Sequence, residues 1–282
     1  MMSFPAGSDM PAVTMLGRYL LRERIAVGVT GYVFAADDQA MDRQVAVKVL
    51  AADLEDEPET RERFYREARI MTQLTHANIV RVLDVGEDHG KPFIAMELLR
   101  GLSLVEHLRA HPALSIASRV DLIVQLYSGL EAAHAQGAVH RDVKPGNIIV
   151  QHDGCLKILD FGLARLQAST LTASGVVVGS PGYMSPEQAE GLRVDRRSDI
   201  FSAAAVGYLI VSGRAPFEAK TLPMALHAVM HEAPQRLSAT EAPGELARVL
   251  ARALEKSPDA RYQTCAEVLA DLGRVATMEV PS

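Results

Sequence analysis

His140-Arg141-Asp142-Val143-Lys144-Pro145-Gly146-Asn147, followed a short interval later by Asp160-Phe161-Gly162, decides how this chain is read. Between the two strings, Asn147 to Val150 and Leu156 to Leu159 are apolar runs flanking Asp153-Gly154, a two-residue turn pair, and that pattern predicts a β-hairpin. A hairpin returns its ends to one another, so Asn147 and Asp160 come together and can share a divalent cation on phosphate oxygens. Hard Mg²⁺ suits such oxygen donors, and Mn²⁺ is compatible with them. Asp142 is left to orient an incoming hydroxyl and accept its proton, while Lys144 can reach a transferred phosphate as a point charge. That division of labour fits phosphoryl transfer, in which positioning and charge stabilisation do most of the catalysis. The competing reading is a polar turn whose Asp and Asn serve turn geometry alone; a whole ordered string would then have to match by accident.

Composition narrows the classes. The 282 residues are 48% hydrophobic and 23% charged, enough for two packed lobes with a real core. A net charge of -6 offers no positive field for a nucleic acid backbone or an anionic membrane, so nucleic acid is not expected as a substrate. Only two cysteines occur, Cys155 and Cys265, each standing alone rather than in a Cys-x-x-Cys pair, which argues against a disulfide framework or zinc knuckle and makes a reducing cytoplasm the expected location. Residues 1–15 lack the basic start and apolar run of a secretory signal and read as a frayed tail. Ile200 to Val211 is nearly continuously apolar but short of the roughly 20 residues a membrane span needs, so it reads as a helix buried on all sides.

Along the chain, Tyr19 to Val49 is β-rich and broken by Gly28 and Gly31, as in a twisted antiparallel sheet. Pro58 opens an amphipathic helix running to Leu74, with Phe64, Ala68, Met71 and Leu74 on its apolar stripe. Strand-like runs at Ile79 to Val85 and Phe93 to Leu98, separated by a turn at Glu87 to Lys91, complete a small β lobe. From Leu104 the periodicity is helical apart from the hairpin. The expected fold class is therefore α+β: a tail over 1–15, a small lobe over 16–98, a larger lobe over 99–275 and a tail over 276–282, with a hinge near Glu97 to Gly101.

The strings at His140–Asn147 and Asp160–Gly162 resemble the catalytic and metal-binding loops of the protein kinase superfamily. Lys144, two residues after Asp142, resembles its serine/threonine branch, and Met184-Ser185-Pro186-Glu187-Gln188 resembles bacterial eukaryotic-like (Hanks-type) serine/threonine kinases. The likeness runs from about Leu16 to Arg274. It implies a bilobal fold, ATP and Mg²⁺ as nucleotide and metal, and protein substrates phosphorylated on Ser or Thr. Pairing as a homodimer for trans-autophosphorylation occurs in such families, but no interface is readable from the sequence.

The same resemblance assigns roles residue by residue. Lys48, at the end of Val45-Ala46-Val47-Lys48, would hold the α and β phosphates, steadied by Glu67, a carboxylate on the apolar helix stripe that needs a partner there. The alternative for each is plain solvation, Lys48 snorkelling and Glu67 at the stripe edge. The phosphate-covering loop would be Ala26-Val27-Gly28-Val29-Thr30-Gly31, followed by Tyr32 and Val33. Ala26 departs from the family's glycine, while Gly28 and Gly31 keep the close approach of backbone to phosphate. Val33, Ala46 and Ile149 would wall the adenine, Glu97 and Leu99 would read its edge through their backbone, and Met96 would be the gatekeeper. Val82, Met71, Phe161 and His140 would stack into a spine, which makes His140 structural. Gly162 opens the implied activation loop, in which Thr170, Thr172 and Ser174 are candidate phosphosites and Arg141 a guanidinium for the phosphate; a solvated Ser/Thr loop explains the same composition. Ser180 would sit in the loop that receives the substrate hydroxyl. Glu187 would pair with Arg261, and Asp199 would tether the catalytic loop backbone.

Two rivals come from other classes. A kinase fold used as a scaffold would normally lack Lys48, Asp142 or Asp160, and all three are present. A small-molecule phosphotransferase would not need Ser185-Pro186-Glu187 or Arg261. His227 and His231, four apart, read as a surface pair on a helix, because Ala228 stands where a zinc protease would need its glutamate.

Overall fold

Alternation along Val45-Ala46-Val47-Lys48-Val49 sorts this segment onto two faces of a sheet, and the packing follows that sorting. The computed structural model describes residues 14–28, 31–51, 58–161 and 181–278, except for the side chains of residues 58, 59, 63, 66, 67 and 276–278. Contacts divide these residues into two compact units, one from residues 14–75 and 80–100 and the other from residues 76–79, 101–161 and 181–278.

The smaller unit is a six-stranded antiparallel sheet in the order β1-β2-β3-β4-β6-β5: β1 (Thr14–Leu16), β2 (Tyr19–Gly28), β3 (Gly31–Asp38), β4 (Arg43–Leu50), β5 (Val82–Asp88) and β6 (Lys91–Glu97). Val45, Val47 and Val49 face a core made with Leu16, Tyr19, Leu21, Phe34, Ala36, Phe93 and Ala95. The opposite face carries Ala46 and Lys48, paired across the ladder with Met96 and Val33 respectively. Helix α1 (Pro58–Gln73) packs on β5 and β6 with Phe64, Ala68 and Met71 buried, and Pro58 takes its first position as expected. The sheet begins at Thr14, inside the stretch read as a tail. The turn between β5 and β6 is tighter than expected: His89 and Gly90 both adopt positive φ, the conformation a two-residue hairpin requires, so both strands extend towards it.

The predicted strand from Ile79 to Val85 is out of position. The strand starts at Val82, whereas Ile79 belongs to the larger unit and forms an isolated parallel bridge with Ile158. Ile79 and Val80 are both buried, so an apolar run continues across a change of unit.

In the larger unit, β7 (Gly101–Ser103), β8 (Ile148–Gln151) and β9 (Leu156–Ile158) form a small antiparallel sheet. The β8–β9 hairpin turns where predicted, with Asp153 Oδ1 accepting from Cys155 N and Gly154 at φ 85°. The helices are α2 (Leu104–Ala110), α3 (Ile116–Ala135), α4 (Pro186–Ala189), α5 (Arg196–Ser212), α6 (Leu222–His231), α7 (Gly244–Ala253) and α8 (Cys265–Met278). Helix α5 contains the apolar run Ile200 to Val211, packs against α3 and α7, and is buried along almost its whole length. Its small residues allow that approach: a Cβ on Gly207 would come within 2.9 Å of Leu250. Asp195 caps its start by accepting from Arg197 N, and Gly213 closes its end at φ 75°. Among the described residues no helix is long and apolar enough to cross a membrane. Two lobes of this composition give the α+β class expected from the sequence.

Candidate active site

Asp199, in the first turn of α5 and 1% exposed, organises the segment that begins at His140. Its Oδ2 accepts from His140 N at 2.8 Å and its Oδ1 from Arg141 N at 2.7 Å. His134, near the end of α3, places Nε2 2.7 Å from the same Oδ2. These bonds hold Arg141 at φ 67°, a region a non-glycine residue enters only when its surroundings over-determine it. Gln188 fastens the other side by donating from Nε2 to Arg141 O at 2.7 Å, from the capping box it forms with Ser185.

His140 is fully buried and joins the two loops. Its Nδ1 accepts from Asp142 N at 3.1 Å, so Nε2 carries the proton given to Leu159 O at 2.8 Å. The ring lies 4.5 Å, centroid to centroid, from Phe161. Leu159 N in turn donates to Asn147 O at 2.9 Å. Asp160, between these two anchors, is held at φ 50°, and the hairpin brings its backbone back beside Asn147 as the turn pattern predicts.

Asp142 stands at the centre of this unit's polar groups. Asn147 Nδ2 donates both to Asp142 O at 2.8 Å and to Asp142 Oδ2 at 2.9 Å, which uses both amide protons and leaves the amide oxygen as the atom of this side chain that could hold a cation. Lys144 Nζ lies 2.7 Å from the same Oδ2, with both side chains about one-fifth exposed (19% and 21%). One carboxylate oxygen is thus occupied by an amide and an ammonium group. The donor set of Asn147 and Asp160, an amide oxygen and a carboxylate, fits a hard oxygen-seeking cation.

The smaller unit supplies the other predicted residues. Lys48 is 3% exposed and shares a sheet face with Val33, Ala46 and Met96, the last buried at 8%. Ala26 pairs with Val33 and Val27 with Tyr32, bringing Gly28 opposite Gly31 at the hairpin end. Gly31 is there for a steric reason: a Cβ on it would stand 1.9 Å from Val49 O. Glu97 N donates to Arg81 O, and Leu99 follows β6, half-buried. Met71 and Val82 are buried in this unit, and Ile149 lies on β8 of the larger one. The backbone of Glu67 belongs to α1; its side chain lies outside the described residues, as do Val29, Thr30, Gly162, Thr170, Thr172, Ser174 and Ser180.

Glu187 and Arg261 meet as an end-on pair, Nη1 to Oε1 at 2.8 Å and Nη2 to Oε2 at 2.9 Å. Arg261 also donates to the carbonyls of Glu255, Arg197 and Lys256, so all five of its protons are used and its side chain is shut off from solvent. Burial alone would raise the Glu187 carboxyl, but hydrogen bonds from Arg261 and Ser198 outweigh it and hold the group below the usual range. Burial, with the Arg261 charge beside it, pushes Lys256 down to about 8; its ammonium donates to Ala228 and Val229 carbonyls at the end of α6 and lies 3.9 Å from the Phe217 ring centre. His227 and His231 are exposed on α6, ring to ring, with Glu232 3.4 Å from His227.

His134 and Gln188 were not singled out as site residues in the sequence. Each acts through a backbone or side-chain partner far along the chain, and no local spacing signals that.

A family model for the protein kinase domain matches residues 19–271. The chain belongs to the protein kinase domain family. This kinase domain is 38% identical over 274 residues to the serine/threonine-protein kinase PknB of Mycolicibacterium smegmatis, covering 94% of this chain and 44% of that protein. To PrkC of Bacillus subtilis it is 35% identical over 259 residues, covering 91% of this chain and 40% of PrkC. The kinase domain spans less than half the length of these relatives. Its fold is similar to the crystal structure of the PknI kinase domain of Mycobacterium tuberculosis, with a TM-score of 0.75 at 26% identity over 95% of this chain and 100% of that one.

Proposed function

We propose that this kinase domain transfers the γ-phosphate of ATP to serine or threonine hydroxyls of protein substrates. The observation that carries the reading is Asp142, clamped between Asn147 Nδ2 and Lys144 Nζ at 2.9 and 2.7 Å on one carboxylate oxygen. The remaining oxygen is the one suited to receive a substrate hydroxyl, orient it for in-line attack and take its proton. Lys144, already at Asp142, would neutralise charge on the phosphoryl group as the bond to the leaving oxygen breaks. Asn147 and Asp160 would hold Mg²⁺, which when bound offsets the negative charge of the phosphates. Lys48, steadied by Glu67, would bind the α and β phosphates, with Gly28 and Gly31 letting backbone approach them. Val33, Ala46, Met96 and Ile149, with the backbone of Glu97 and Leu99, would form the adenine site.

Activation by phosphorylation of Thr170, Thr172 or Ser174 belongs to the same proposal. Its support is Arg141 Nε, which is buried and has no hydrogen-bond partner among the described residues; a phosphate is the acceptor a guanidinium takes most readily. The relatives PknB and PrkC carry the name serine/threonine-protein kinase, which supports the choice of acceptor.

The test is incubation with labelled ATP and Mg²⁺ of wild type and Asp142→Asn. Label on the protein or on a generic basic substrate is expected, reduced by at least roughly 10²-fold in the variant while nucleotide affinity is kept. Nucleotide binding without transfer by the wild type would instead favour a scaffold, and label undiminished in Asp142→Asn would remove this residue from its role.

A further inference from the structure

Glu131 and His134 on α3 and Cys265, the first residue of α8, take no part in the proposed phosphoryl transfer, yet their ligand atoms converge within 4.8 Å of one another. The Glu131 to His134 step of three residues puts carboxylate and imidazole on one helix face, a spacing that metal-binding helices use. His134 Nδ1 lies 3.6 Å from Cys265 Sγ. With Zn–S near 2.3 Å and Zn–N near 2.0 Å, a tetrahedral site has an N···S edge of about 3.6 Å. Two of the three ligands therefore already stand at the separation of an occupied site.

The other ring nitrogen adds an independent sign. His134 Nε2 is 2.7 Å from Asp199 Oδ2, with both side chains almost fully buried. A carboxylate on the far nitrogen fixes the tautomer with the proton on Nε2, leaves the Nδ1 lone pair aimed at Cys265, and is the support that zinc-bound imidazoles usually have. Glu131 is half-buried, which gives a cation a way in from solvent.

We propose that Glu131, His134 and Cys265 form a Zn²⁺ site with its fourth position open to water. A thiolate and an imidazole select Zn²⁺ over Mg²⁺ or Ca²⁺. Binding forms the Zn–S bond as the thiol proton leaves to solvent, and one thiolate with one carboxylate balances the cation's two charges. The ion would brace α3 against α8 and, through His134 and Asp199, bear on the backbone at His140 and Arg141.

Cobalt titration of the purified, reduced chain tests this without recourse to activity. The expected result is a near-ultraviolet thiolate-to-Co²⁺ absorption band that saturates at one ion per chain and is displaced by Zn²⁺. The band should persist in Cys155→Ser and His227→Ala, vanish in Cys265→Ser, and need on the order of tenfold more metal in Glu131→Gln. At about a hundredfold excess over its dissociation constant, Zn²⁺ should raise the unfolding midpoint by roughly 5 °C in the wild type and not in Cys265→Ser. Metal uptake with no thiolate band, a band that survives Cys265→Ser, or no uptake at micromolar metal by the folded protein would each overturn the site. The last result would leave the 3.6 Å contact as a thiol donating to a histidine.

Discussion

The Asp199 carboxylate accepts from two consecutive backbone N–H groups and from His134, so both oxygens are committed. Asp199→Asn preserves shape but replaces one acceptor with a donor facing those same N–H groups. The expected cost is about 1–3 kcal/mol of stability for a buried donor left unsatisfied. In the proposed reaction kcat should fall more than KM, because the loop bearing Asp142 shifts while the nucleotide groups do not; denaturant unfolding and steady-state kinetics measure the two effects. Gln188→Ala removes the bond to Arg141 O together with the side-chain half of the capping box with Ser185, and should cost about 1–2 kcal/mol. At this scale the closeness of Asp142, Lys144 and Asn147 was readable because a few adjacent residues and one turn determine it. The supports His134 and Gln188 were not, since they lie 65 and 47 residues from the groups they hold.

Secondary-structure elements were readable in proportion to how much of their pattern is local. Helix α5 announces itself as a continuous apolar run between Asp195 and Gly213, and the β8–β9 hairpin by Asp153-Gly154. The start of β5 was misplaced because Ile79 is apolar and buried for a different neighbour, Ile158 on β9, and Val80 beside it is apolar and buried too, so the run shows no break before Val82. Strands as short as β1 and β7, three residues each, are too brief to show a period of two. Gly101 tests β7 directly: a Cβ there would stand 2.2 Å from Val150 O and 2.7 Å from Gln151 Cα. Both obstacles are backbone, so Gly101→Ala must part β7 from β8. A loss of about 1–3 kcal/mol is expected in thermal or denaturant unfolding, with faster amide hydrogen exchange at residues 148–151.

Across the whole molecule, contacts separate a sheet-based unit from a helical one, and residues 76–79 group with the helical unit although no local pattern in the sequence marks them off from β5. The ion pair of Glu187 and Arg261 ties distant parts of that larger unit together. Because the folded carboxyl is held below its ordinary value of 4.5, the pair contributes its full stability above that pH and loses it as pH falls through the depressed folded value. Unfolding midpoints measured from pH 6 downwards should therefore drop once pH passes below about 4.5, and Glu187→Gln should flatten that drop while lowering stability at pH 7. Arg261→Ala leaves a buried carboxylate alone and is expected to cost about 3–5 kcal/mol.

Arg261 also sets an order of events during synthesis. The segment bearing Glu187 leaves the ribosome long before its guanidinium partner, 74 residues later, has been translated. Until then the carboxylate must stay hydrated, and the chain around it cannot close. A nascent polypeptide halted before residue 261 should accordingly remain protease-sensitive around residue 187, with its final consolidation waiting on one late arginine.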